Sequence, residues 1–70
     1  MTEQEATALK VGDRVCIQRR KFSDLHYGTV AQAAGRSVGI QWESFIRDGK
    51  EYGDGLEFEQ PQFMAKIQRA

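Results

Sequence analysis

The chain has a single cysteine, a single histidine and a single proline, no net charge and no long apolar run. Each scarcity closes off a class of function. With Cys16 alone there is no internal disulfide to staple the fold, and a reducing, cytoplasmic setting fits best. Strand alternation sets Cys16 opposite Val15 and Ile17, so it reads as a small filler thiol. His26 lacks companions of imidazole or thiolate type, so no metal site and no cofactor are expected. A His26–Cys16 pair would supply a nucleophile and its base, but nothing in the sequence orients a third group. Seventy residues are also too few to enclose a substrate pocket of roughly several hundred Å³ within one subunit. The expectation is a non-enzyme. Ten basic residues balance ten acidic ones, so no whole-molecule field draws the chain to a polyanion. No run approaches the roughly 18 apolar residues of a membrane span. The start, Met1 to Ala8, is neither basic nor apolar and does not read as a secretory signal.

What is present is short, alternating and punctuated by glycine. Leu9-Lys-Val-Gly-Asp-Arg-Val-Cys-Ile17 opens a first strand near Lys10, with a turn at Val11 to Arg14. Gly12 can take positive φ there, and Asp13 can accept a backbone amide. A polar loop from Gln18 to Tyr27 follows, with Phe22 and Leu25 as its expected anchors. Gly28 to Gln32 reads as the second strand, and Ala33 to Arg36 as a hairpin connection. Val38, Ile40 and Trp42 share one face of a third strand. Residues 44–55 read as a glycine-dotted loop with a turn at Asp48-Gly49. Leu56 to Glu59 alternates as a fourth strand. Pro61 ends it and starts one helical turn. Met64 to Gln68 closes the chain as a fifth strand with Ile67 inside. The expected core is Val15, Ile17, Val30, Val38, Ile40 and Ile67. Residues 1–8 read as a flexible, frayed lead-in, and residues 9–70 as one all-β domain.

The Val-Gly-Asp-Arg-Val opening, the later Gly-x-Val, the Val-x-Ile-x-Trp strand and the turn before a short last strand resemble the Src homology 3-like barrels. The likeness covers about residues 9–68 and is nearest the KOW and Tudor-type branches. It implies a small, closed, five-stranded barrel with one helical turn before the final strand. Members of these branches bind nucleic acid or modified side chains. KOW barrels are usually strongly basic, unlike this chain. The opening is also similar to that of the barrel-type dihydrofolate reductases, but Val38-Gly39-Ile40-Gln41-Trp42 departs from their substrate segment.

The neutral total hides an asymmetry. Residues 10–36 carry six basic residues against two acidic, a net +4, and residues 37–59 carry two against six, a net −4. Such flanks orient an encounter with a partner of complementary charge. Trp42, Phe45, Ile46 and Tyr52 group aromatic and apolar side chains around one loop, the composition of a protein interface. Arg19, Arg20 and Lys21, with Tyr27 close by, form a basic segment interleaved with aromatics that suits phosphates and unpaired bases. These eight residues are the candidate partner-binding set. The favoured function is a binding module that docks a protein partner or a second copy of itself. A KOW-type nucleic-acid-binding barrel comes second, and an oligomeric enzyme with a site between subunits third.

Overall fold

The computed structural model describes residues 1–18, 25–33, 36–52 and 55–70, with the backbone alone at Phe45, Arg47 and Tyr52. The elements run α1 (Glu3–Thr7), β1 (Arg14–Gln18), β2 (Leu25–Gln32), β3 (Val38–Trp42), β4 (Phe45–Arg47), β5 (Lys50–Tyr52), β6 (Gly55–Glu59), a 3₁₀ turn (Pro61–Phe63) and β7 (Ile67–Arg69). Five strands form one antiparallel sheet in the order β6-β3-β2-β1-β7. The all-β class, the five strands and the single turn before the last strand therefore stand as read from the sequence.

Turn chemistry sets the corners. Gly12 has φ +97°, and the Asp13 amide donates to the Lys10 carbonyl over 3.0 Å. The Asp13 carboxylate in turn accepts the Lys10 amide at 2.9 Å. A positive φ at the third position is what a type II turn requires. This turn displaces the start of β1 to Arg14 and leaves Val11 exposed. Asp48 and Gly49 both have positive φ, 53° and 76°, the signature of a type I′ hairpin. Residues 45–52 are thus the β4–β5 hairpin where a loop was expected, paired from Phe45↔Tyr52 to Arg47↔Lys50.

The core collects Val15, Val30, Val38, Ile40, Trp42 and Ile67 from the inner face of the sheet, closed by Ala6, Leu9 and Met64. Ile17 is only partly buried against it. Residues 1–8 are not the frayed segment that their polarity suggests. Thr2 and Glu5 form a capping box: the Glu5 amide donates to Thr2 Oγ1 at 3.1 Å, and the Thr2 amide donates to Glu5 Oε1 at 3.0 Å. The helix packs on the 3₁₀ turn and buries Ala6. A five-residue helix has no stability of its own, so cap and burial hold it together.

That cap is pH-sensitive. The Thr2 backbone hydrogen bond, with help from the Thr2 side chain, holds the Glu5 carboxyl below its ordinary value. A carboxylate depressed in the folded state contributes above the unfolded pKa and loses its contribution as pH falls through the folded one. An acid titration followed by amide NMR is expected to show the Thr2 and Glu5 signals moving together toward frayed values below the ordinary carboxylate range. Glu5→Gln is expected to abolish that movement.

The sheet is open, not the closed barrel expected. Among the described residues β6 pairs only with β3, and β7 only with β1. The physical reason lies in the register of β6. Ile40 pairs with Glu57 and Val38 with Glu59, so the two carboxylates share the face of the core residues. Carboxylates resist burial unless paired, so this edge stays solvated and does not close against β7.

Candidate binding groove

The same register sorts β6 into two faces. Leu56 and Phe58 pair with Gln41 and Gly39 on the outer face. All five residues of the strand are exposed. Gly39 explains how Phe58 lies there: a Cβ at position 39 would come within 2.8 Å of the Phe58 ring, so the bare backbone is its seat.

On the inner side, a groove of about 440 Å³ runs between β6, the 3₁₀ turn and β7. Ile17, Ile40, Trp42 and Ile67 contribute its apolar floor. Glu57 and Glu59 line one wall, and Phe63 and Lys66 the other. Phe63 is 68% exposed, a large apolar side chain held out by the 3₁₀ turn that Pro61 starts. Trp42 is fixed from behind. His26, itself buried, tilts against the indole with ring centroids 5.0 Å apart, and its Nε2–H donates to the Glu43 carbonyl at 2.7 Å.

The candidate residues whose side chains are described, Trp42, Tyr27 and Ile46, lie on different parts of the fold. Trp42 is 4% exposed: it is core and groove floor, not an exposed anchor, because its partner across the sheet, Gly28, leaves room for the indole. Tyr27 lies on the opposite, outer face. There the Arg14 guanidinium stands 5.9 Å from its ring centroid while Arg14 pairs with Glu43 at 2.7 Å and donates to Thr29 Oγ1. Ile46 is 77% exposed on the β4–β5 hairpin. Phe45 and Tyr52 face each other across that hairpin as backbone partners. Arg19, Arg20 and Lys21 lie outside the described residues, as does Phe22. Leu25, expected as an anchor, is exposed on β2.

Sequence reading missed Glu57, Glu59, Phe63 and Lys66. The alternation Leu56-Glu57-Phe58-Glu59 was visible, but period two does not say which face turns inward. Glycine at 39, opposite Phe58, was the available signal.

The groove lining combines an apolar floor with the carboxylates of Glu57 and Glu59 and the ammonium of Lys66. His26 pairs with Ile17 on the inner face and Cys16 with Tyr27 on the outer, so they cannot act as base and nucleophile. Among the described residues, no three His, Cys, Asp or Glu side chains are grouped to hold a metal ion. No helix there is long and apolar enough to cross a membrane. Comparison with protein-family models, with characterised proteins and with solved structures returns no match for this chain.

Proposed function

We propose that this domain is a non-enzymatic docking module that takes an extended segment of a protein partner along β6. One observation carries the reading. β6 is a five-residue strand exposed throughout, paired on one side only among the described residues, and set beside an apolar-floored groove. An unpaired strand edge is a ready template for another strand. In that mode of recognition, main-chain hydrogen bonds supply affinity and the adjoining pockets supply specificity. A cytoplasmic setting fits the single, buried Cys16.

The test sets peptides against nucleic acid. Peptides selected from a random library on the intact domain are expected to shift the amide resonances of residues 55–59. Oligonucleotides are expected to bind weakly at physiological salt. If Arg19, Arg20 and Lys21 instead each neutralise a phosphate, affinity for single strands falls with salt at a slope of roughly −2 for three contacts. Micromolar oligonucleotide affinity at physiological salt, lost when all three become alanine, would overturn the docking reading.

A further inference from the structure

We infer that the segment docking on β6 alternates basic and apolar residues, with its basic side chains directed into the groove. This rests on β6 being the docking edge and adds the chemistry of the partner. Directly opposite residues of neighbouring strands put their side chains on the same face. A strand added to β6 therefore meets Glu57 and Glu59 on its groove side and Leu56 and Phe58 on its outer side. The two carboxylates are two residues apart, about 7 Å, which is also the spacing of alternate side chains on the incoming strand. Among the described residues that line the groove, Lys66 is the one cation, so two exposed carboxylates face one ammonium and that lining is net negative. Lysine or arginine at alternate positions completes two cross-strand ion pairs. The apolar part of each side chain lies over the Ile40–Trp42 floor, and the residue between them covers Phe58.

The same geometry disfavours a second copy of this chain. Symmetric antiparallel pairing through the whole of β6 centres on Glu57 and sets two Glu57 carboxylates directly opposite. A shift of the centre to Phe58 opposes Glu57 to Glu59. Like charges directly opposite are destabilising.

The probe is a capped nine-residue peptide of alternating lysine and valine, with alternating glutamate and valine as its charge-reversed control. Calorimetric titration and amide NMR follow both on the intact domain. The lysine peptide is expected to bind, to shift residues 55–59, Phe63 and Lys66, and to weaken with salt. The glutamate peptide is expected not to bind. Glu57→Gln with Glu59→Gln keeps shape and folding, and is expected to weaken the lysine peptide on the order of tenfold. Glu57→Lys with Glu59→Lys is expected to transfer the preference to the glutamate peptide. Unchanged affinity in the glutamine variant, or shifts confined to Tyr27 and the outer face, would overturn the assignment. So would a concentration-dependent dimer, free of peptide, that the glutamine variant strengthens. If library-selected peptides occupy β6 with no basic preference, the charge pattern falls and the docking edge stands. If no peptide of any composition perturbs β6, both fall.

Discussion

Trp42→Ala is expected to remove a large share of the domain's folding stability. Removing a buried tryptophan side chain costs about 3–5 kcal/mol. Seventy residues supply roughly 4–10 kcal/mol in total. The loss is a large share of the whole because Trp42 is buried against Gly28 and tilted on His26. Urea and thermal melts by far-UV circular dichroism measure it. Trp42→Phe keeps an aromatic ring beside His26 and is expected to retain a cooperative transition. A midpoint for Trp42→Ala within a few degrees of the parent would mean that the indole is not part of the core.

Gly28→Ala is expected to be the most damaging single-carbon addition. The new methyl would stand 2.7 Å from Ile40 Cγ2, 2.8 Å from Trp42 Cε3 and 3.2 Å from the Gln41 carbonyl oxygen. Ile40 and Trp42 are core side chains, 1% and 4% exposed, held by the residues packed around them. Overpacking of this kind costs about 1–3 kcal/mol, more than the fraction of a kcal/mol that alanine regains over glycine in the unfolded chain. At roughly 4–8 °C per kcal/mol for a domain of this size, the melting temperature should drop measurably. Gly39→Ala is the control. It meets the Phe58 ring at the same 2.8 Å, but Phe58 is half-exposed on an edge strand and can swing into solvent. The difference between the two substitutions reads out which ring is held by the core. Equal losses would contradict the inner and outer faces described for β6.

The sequence spoke most clearly where one residue has few conformational options. Gly12-Asp13, Asp48-Gly49 and Pro61 each announced a turn, and each turn is there. Val38, Ile40 and Trp42 alternate against Val30 and Val15, and all five are buried. Helix α1 was hidden because five residues are too short to display a helical period. Its Thr2-x-x-Glu5 spacing, a capping signature, was the readable trace. Leu9 and Met64 stand at the openings of the expected first and last strands, but they lie outside β1 and β7, and the tertiary fold buries them. The groove was the least legible part. It depends on which way β6 faces, and a strand with apolar residues on one side and acids on the other is ambiguous until its neighbour fixes the register. By sequence Trp42 suits both core and interface, and in the structure it lies in the core at the groove floor.

The pairing of β1 with β7 has a kinetic consequence. β1, β2 and β3 form a meander whose contacts are local in sequence, and β6 joins β3 after the short β4–β5 hairpin. Val15, however, meets Arg69, and Ile17 meets Ile67, across almost the entire chain. Closing so long a loop before the other strands have paired costs more entropy than forming any of the hairpins. The first four strands of the sheet can therefore zip from neighbour to neighbour, and docking of Ile67 comes last. Until then the edge of β1 is as open as that of β6. A domain assembled in this order completes its sheet only once its final strand is in hand.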